Sequence, residues 1–331
     1  MDYPLPTEKQ GISFSQLQNS ALFVFGLGAG VVAVIVFAAA AIWGSQMEFP
    51  IDAGRSVGAR IDAVVDWTNI NGDWLFSAIK IVVIKILITM EDALLWMPWP
   101  GLVVLVTLIS LRLGGTFVAA FSFLGMMGMG LLGLWESAME TLALVFTAVT
   151  LSIGIALPVG VFAARNNRFD AVLRPILDGM QTMPSFVYLV PAIMFFSLGN
   201  VPAVMATIVY AVPPAIRLTN LGIRQVSPEI VEAARSFGTT PMQLLTKVQI
   251  PMAMPTIMAG INQTTMMALA MVVIASLVGA GGLGEDVNRA LGRQEPGAAA
   301  IGGMSIVIMA IVIDRLTQGV VKKRQDALRG T

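Results

Sequence analysis

The most constraining feature of this 331-residue chain is where its charged residues are absent. Only 12% of the residues are charged, against about 25% in a typical soluble domain. Seven long runs contain no Asp, Glu, Lys or Arg: residues 10–47, 93–111, 113–135, 141–164, 179–216, 252–280 and 297–313. A charge at the centre of a spanning helix costs about 2.5–3.5 kcal/mol, and a bilayer core of about 30 Å requires roughly 17–25 apolar residues. The sequence therefore predicts an all-α, polytopic membrane helix bundle.

The apolar runs predict about eight membrane spans. Residues 179–216 are too long for one span, and Gly199, Asn200 and Pro202 supply a turn that divides them. The predicted spans are residues 21–43, 93–111, 113–135 and 141–164, two spans within 179–216, and residues 252–280 and 297–313. The tail before the first span has no net positive charge, so we expect a retained helix rather than a signal peptide.

The segment from Leu75 to Met90 is apolar but short, and two lysines, Lys80 and Lys85, interrupt it. This pattern predicts an interfacial amphipathic helix, with a further span as the alternative. The predicted organisation is a tail (1–20), accessory spans (21–133) with an external or interfacial segment (44–92), a core (134–320) and a basic tail (321–331).

The distribution of Lys and Arg predicts the orientation, because basic residues concentrate on the cytoplasmic side of a membrane. With the amino terminus inside and eight spans, fourteen basic residues fall inside and six outside. We therefore expect a multi-pass protein of the bacterial inner membrane with both termini in the cytoplasm.

The composition and motifs argue against metal binding, nucleic-acid binding and nucleotide binding by this chain. The chain has no cysteine and no histidine, so thiolate and imidazole metal ligands are missing, and its net charge of zero gives no basic footprint for nucleic acid. Gly279, Gly281 and Gly284 have the spacing of a dinucleotide fingerprint but follow a membrane helix, so a flexible or close-packed turn is the better interpretation. No Gly-x4-Gly-Lys-Ser/Thr loop exists. We expect no catalytic residue, metal or cofactor in this chain.

Residues 227–251 form a polar island between two predicted spans. Ser227 and Pro228 suit the N-cap and first position of a short helix, and Gly238 suits its end. One face of that helix is expected to be apolar, with Ile230, Val231, Ala234 and Phe237 on it. Thr240 and Gln243 have capping-box spacing, so a second short helix is predicted to begin there and to end before Pro251.

The same island carries a resemblance to a known family. Glu232-Ala233-Ala234, three residues, Gly238, nine residues and Val248-Gln249-Ile250-Pro251 resemble the EAA loop of binding-protein-dependent ABC permeases. Residues 134–142, 177–188, 223–226, 260–267 and 279–284 are similar to the glycine betaine/proline betaine permeases within that family.

The resemblance implies a type I ABC importer permease (MetI-like) core and a substrate that is glycine betaine, proline betaine or a related methylated amine such as choline, carnitine or trimethylamine N-oxide. It also implies that residues 227–251 are the loop that docks into a cytoplasmic ATPase, through Glu232, Ala233, Ala234, Gly238 and Pro251. The expected partners are two copies of that ATPase, which bind ATP and Mg, a periplasmic or surface binding protein, a second copy of this chain, and membrane lipid.

A candidate substrate path is predicted in two spans. Its residues are Gln181, Thr182, Pro184, Ser185, Tyr188, Asn262 and Gln263. Helical spacing would place positions 181, 184, 185 and 188 on one face. Phe186, Tyr188, Phe195, Phe196 and Tyr210 offer aromatic faces for a quaternary ammonium ion. The alternative for all of these residues is packing within the bundle, where Asn262 and Gln263 would bond neighbouring helices.

Two rival classes remain at this point. A sodium-coupled secondary transporter of a small amine is compatible with uncharged spans, whereas a proton-coupled one typically keeps ionisable relays inside the membrane. A passive channel would not need the polar island.

Overall fold

The computed structural model describes residues 14–43 and 54–329, and throughout these ranges the regular structure is helical. The chain divides into two compact units, Met1–Ala63 and Val64–Thr331. The first unit contains helix α1, Phe14–Trp43, and the start of α2. The second unit contains the rest of the described helices and every contact discussed below. The all-α prediction is therefore confirmed for the described residues.

The helices beyond α1 vary widely in length. They are α2 (Gly54–Trp96), α3 (Trp99–Leu131), α4 (Trp135–Arg165), α5 (Asn167–Thr182), α6 (Leu189–Phe196), α7 (Asn200–Arg224), α8 (Pro228–Ser236), α9 (Pro241–Gln243), α10 (Ile250–Ala275), α11 (Leu283–Gly292) and α12 (Pro296–Arg329). Short 3-10 turns occupy Ser185–Tyr188 and Ser276–Val278, and a π-helical turn occupies Leu244–Gln249.

Within the described part of the chain, five helical stretches are long and apolar enough to cross a membrane. They are Trp99–Leu131, Trp135–Arg165, Asn200–Arg224, Pro241–Val278 and Pro296–Lys323. The pair α5 and α6 makes a sixth if it counts as one bent span. The prediction of eight spans is not confirmed. Of the predicted first span, 21–43, only Gly28–Ala41 qualifies, as a shorter apolar helix.

The chain reverses direction within α3, at Gly115. Gly115 has non-helical dihedral angles, φ 82° and ψ −174°, in the left-handed region that favours glycine. The hydroxyl of Ser110 donates to that of Ser122 at 2.9 Å, although a straight helix would separate these residues by about 18 Å. The halves 99–114 and 116–131 therefore fold back on each other. The predicted separation of two apolar runs near Arg112 corresponds to this reversal.

The centre of the bundle is α7, which packs between α4 and α10. Glycines allow this close approach. A side chain at Gly160 of α4 would come within 2.9 Å of the Ile216 carbonyl oxygen, and one at Gly260 of α10 within 3.1 Å of the Ala215 Cα. Small residues at helix contacts are what membrane bundles use to gain van der Waals packing, since lipid supplies no hydrophobic driving force between helices.

The turn before α11 is close-packed, one of the two alternatives expected for it. Gly279 and Gly282 have φ of 84° and 88°, and the Leu283 N–H donates to the Thr141 hydroxyl oxygen at 2.8 Å. The Gly281 N–H donates to the Asn200 side-chain oxygen at 3.0 Å. The turn therefore joins the ends of α10, α7 and α4, and it lies between helices rather than in a nucleotide-binding β-α-β unit.

Candidate functional site

The polar island forms the helix–turn–helix that its sequence predicts. Helix α8 ends at Ser236, and Gly238 follows with φ 77°. Its N–H donates to the Arg235 carbonyl oxygen at 2.9 Å, and no atom outside its chain neighbours lies within 4 Å of where a Cβ would be. Backbone conformation, and not lack of space, is therefore what favours glycine here.

The two predicted helix caps have different outcomes. The Thr240 N–H donates to the Gln243 side-chain oxygen at 2.9 Å, and the Gln243 N–H donates to the Thr240 hydroxyl oxygen at 3.3 Å, which confirms the capping box. Ser227 occupies the N-cap of α8 and Pro228 its first position, as predicted, but the Ser227 side chain makes no capping hydrogen bond. Its hydroxyl donates instead to the Glu229 carboxylate, and this bond holds the pKa of Glu229 below its usual value.

The second short helix does not end before Pro251 as predicted. It runs from Pro241 through a π-helical turn, Leu244–Gln249, directly into the span that ends at Val278. Pro251 has no N–H to donate to the carbonyl four residues earlier, and its ring crowds that carbonyl. A wider turn just before Pro251 relieves this crowding, and such π turns occur often at functional sites.

The apolar face predicted for α8 divides into two surfaces. Val231 and Ala234 are half-buried, and α8 packs against the π-helical turn. Phe237 is 90% exposed, and Ile230 and Met242 are also exposed. We call Ile230, Phe237 and Met242 the coupling surface, and the end of the bundle that carries it the coupling end. Three apolar side chains on a short capped helical unit are typical of a ligand for a groove in another protein.

The span proposed for the substrate path is broken rather than continuous. Helix α5 ends at Thr182, Met183 and Pro184 are extended with ψ of 137° at both, and α6 leaves at a bend of 111°. The prediction that positions 181, 184, 185 and 188 form one helical stripe is therefore wrong. Pro184 causes the break, because its ring disfavours the helical conformation at Met183 and it has no N–H to continue the helix.

The break separates the candidate residues into two groups. Gln181, Thr182 and Pro184 are exposed and Ser185 is half-buried, whereas Tyr188 is buried. The Tyr188 hydroxyl donates to the Met180 carbonyl oxygen across the break, and its ring centroid lies 6.0 Å from that of Tyr210. Tyr188 therefore lies inside the protomer and makes one hydrogen bond across the break.

The other aromatic candidates also divide into residues that pack inside the protomer and residues that are exposed. The Phe195 ring stacks on Phe76 of α2 with centroids 4.9 Å apart, and Phe196 meets Phe76 edge-on at 5.7 Å. These two rings are packing contacts between α2 and α6. Phe186 is 59% exposed and remains free to meet a ligand or another chain.

Asn262 and Gln263 are adjacent on α10 and have different environments. Asn262 accepts a hydrogen bond from the Thr317 hydroxyl and donates to an Asp314 carboxylate oxygen at 3.5 Å, so it bonds α10 to α12. Gln263 is exposed on the protomer, inside the span Pro241–Val278. One of the two is therefore a contact between helices, and the other projects outward at membrane depth.

A cluster of ion pairs around the buried carboxylate of Asp170, at the coupling end, was not foreseen from the sequence. Asp170 of α5 accepts hydrogen bonds from Arg174 at 2.6 Å and from Asn220 at 2.7 Å, and it pairs with Arg224 at 3.4 Å. The four-residue spacing of Asp170 and Arg174 predicts their contact within α5, but nothing in the sequence predicts the contacts of Asp170 with α7. Among the described residues, no three side chains of His, Cys, Asp or Glu come together to hold a metal ion.

The structure therefore combines an exposed apolar surface on a short helical unit, a broken span and a polar side chain at membrane depth. Residues 156–326 match the family described as "Binding-protein-dependent transport system inner membrane component". This match covers half of the chain, and the chain belongs to this family of inner-membrane, multi-pass permeases.

Individual relatives agree with the family assignment. The chain is 49% identical over 256 residues to the glycine betaine/proline betaine transport system permease protein ProW of Escherichia coli, covering 77% of this chain and 72% of that protein. It is 45% identical to the glycine betaine/carnitine transport permease protein GbuB of Listeria monocytogenes, covering 80% and 95%. It is also similar to a chain of the inward-facing MetNI methionine ABC transporter, with TM-score 0.52, 25% identity and coverage of 56% and 92%.

Proposed function

We propose that this chain is the membrane permease of an ATP-driven importer for glycine betaine, proline betaine or a related methylated amine. The relatives ProW and GbuB bear names that include glycine betaine, and they share 49% and 45% of their aligned residues with this chain. The family assignment favours this function over a sodium-coupled secondary transporter, because the family depends on a binding protein.

The coupling surface carries this proposal. Phe237 is 90% exposed on a unit whose two short helices are held by a glycine turn and a capping box. Burying such a ring in a partner contributes about 1.5–3 kcal/mol. We propose that a separate ATPase, which binds ATP and Mg, receives this surface in a groove, with Glu232, Ala233, Ala234, Gly238 and Pro251 shaping the unit. Two copies of the ATPase would serve two copies of the permease.

The exposed position of Gln263 supports a second copy of this chain as partner. A polar amide facing lipid at the middle of a span is unfavourable, so this side chain faces protein or water. Exposed residues recur along α10 and the 3-10 turn after it with the period of a helix–helix seam: Met252, Ala259, Gln263, Ala270 and Leu277. We propose that this seam faces the second copy and that the path for substrate runs beside it.

The substrate side of the path uses few groups. The exposed residues near the break, Gln181 and Thr182, offer polar atoms, and Phe186 offers an aromatic face for a quaternary ammonium group. A weak site of this kind is sufficient when a periplasmic or surface binding protein supplies the selectivity. The opposite end of the bundle from the coupling surface is where that protein would deliver the substrate.

The test is uptake by proteoliposomes that contain this chain, its ATPase and its binding protein. The panel of labelled compounds is glycine betaine, proline betaine, choline, carnitine and trimethylamine N-oxide. We expect uptake of at least one of them, and only when ATP is present on the side of the membrane where the ATPase is bound. Uptake should persist when ionophores collapse the proton and sodium gradients. Uptake that needs a sodium gradient and not ATP would contradict the proposal.

A further inference from the structure

The buried carboxylate of Asp170 stands at the meeting point of three helices. Its side chain is 7% exposed, and it lies on α5 within reach of Asn220 and Arg224 of α7. A buried carboxylate needs charged and hydrogen-bonding partners, and Asn220 and Arg224 supply two of them from α7. The contacts of Asp170 therefore hold α5 against α7.

Arg224 extends the same attachment to α4. Its guanidinium donates to the side-chain oxygens of Asn220 and Asn167 and to the Ala163 carbonyl oxygen, each at 2.7 Å. These acceptors belong to α7, to the first turn of α5 and to the last turn of α4. Arg224 is also the last residue of α7, three positions before the polar island begins. The cluster is thus located at the base of the polar island, residues 227–251, which we call the coupling segment.

A second ion pair joins the same two helices farther along. Arg217 of α7 donates to the Asp178 carboxylate of α5 at 2.5 Å. The two attachments lie two helical turns apart on each helix, about 10–12 Å. The order of the paired residues is reversed on α7, so α5 and α7 are antiparallel here. Two attachments at this separation restrict rotation of α5 against α7, which a single contact would allow.

The break at Pro184 follows immediately after this attached segment. Met183 and Pro184 are extended, Pro184 has no N–H to continue α5, and α6 leaves at 111°. The Pro184 carbonyl oxygen already belongs to the following 3-10 turn, since it accepts from the Val187 N–H at 3.0 Å. Extended residues between two helices can absorb changes in backbone angles, which is how joints in moving proteins are built.

We propose that Asp170 and Arg224 are positioning residues that fasten α5 to the coupling segment, so that α5 moves with that segment as one body and the joint of the broken span is at Met183–Pro184. This inference rests on the proposed function, because it assumes that the ATPase displaces the coupling surface. It assigns the two halves of the broken span to different moving parts.

The first test compares variants of the cluster in the reconstituted importer. Asp170→Asn and Arg224→Gln should lower uptake per ATP hydrolysed by about tenfold, within the roughly 5–150-fold range typical of coupling between two sites. Hydrolysis itself should continue. Arg168→Gln is the matched control, since Arg168 lies on α5 with an exposed side chain outside the cluster bonds. An unchanged ratio of uptake to hydrolysis in both cluster variants would overturn the proposal.

The second test measures the motion directly and does not depend on uptake. The chain has no native cysteine, so spin labels can be placed at chosen pairs of positions. Labels at Ile176 of α5 and Leu221 of α7, both exposed and outside the two ion pairs, should keep the same dipolar EPR distance with and without ATP, whereas labels at Ile176 and Val190 of α6 should change theirs. A change in the first pair, or none in the second, would overturn the inference even where uptake is normal. Absence of ATP-driven uptake in the native complex would instead contradict the proposed function.

Discussion

The hydroxyl oxygens of Ser110 and Ser122 lie 2.9 Å apart, although the two residues are twelve positions apart in the apolar helix α3. Both side chains are buried, so this hydrogen bond forms away from water, where unpaired hydroxyl groups are costly. It closes the reversal at Gly115 and gives α3 the form of a helical hairpin. Each half is about 24 Å long at 1.5 Å per residue, somewhat shorter than a bilayer core of about 30 Å.

The hairpin predicts an accessible position at the centre of α3. In a straight helix Arg112 would lie within the bilayer, but in the hairpin it is exposed beside the reversal. A cysteine in place of Arg112 should react with a membrane-impermeant thiol reagent from one side, and a cysteine in place of Leu132 from the other. Leu105→Cys, in the middle of the first half, is the control that should not react. Protection of position 112 from both sides would contradict the hairpin.

The turn at Gly238 predicts that the coupling segment fails when this residue is proline. Gly238→Pro removes the N–H that bonds to the Arg235 carbonyl and cannot adopt φ 77°. We expect normal membrane insertion with ATP-driven uptake reduced by at least about tenfold, a loss of about 1.4 kcal/mol of coupling. Gly238→Asn is the control and should transport nearly as well, because asparagine tolerates the left-handed region and keeps its N–H. Equal uptake by the proline variant would remove the turn from the coupling mechanism.

The exposed ring of Phe237 predicts a large contribution to ATPase binding. Phe237→Ser should weaken the affinity of the purified permease for its ATPase by about 10–100-fold, the equivalent of burying one large apolar side chain. Phe237→Leu keeps most of the apolar surface and should bind within about fivefold of the native chain. Thermal stability of the permease alone should not change in either variant, because the ring is exposed. An unaltered dissociation constant for the serine variant would show that the ATPase binds elsewhere.

The burial pattern predicts which path candidates a water-soluble reagent can reach. Single cysteines at Gln181 and Gln263 should react in at least one state of the transport cycle, because both side chains are exposed on the protomer. A cysteine at Tyr188 should stay protected in every state, since the tyrosine is 6% exposed within the protomer. Substrate should slow the reaction at 181 and 263. Resistance of both positions in all states would place the path elsewhere in the bundle.

The character of this protein as a helical membrane permease could be predicted from the order of its residues. Long charge-free runs indicate segments that lie in the bilayer, because the bilayer excludes charged side chains wherever a span stands in the fold. The turn at Gly238 and the capping box of Thr240 and Gln243 were equally predictable. Both depend on backbone conformation and on hydrogen bonds over three residues.

Only the tertiary structure decided which of the candidate path residues are exposed and which are buried. Helical periodicity placed Gln181 and Tyr188 on one face, but the break at Pro184 turned one residue outward and buried the other. Periodicity also contains no sign that Asp170 meets Asn220, fifty residues away, or that Ser110 meets Ser122. A local pattern specifies the repeat of a helix and its ends, whereas the direction of a helix after a break depends on the surfaces that pack against it.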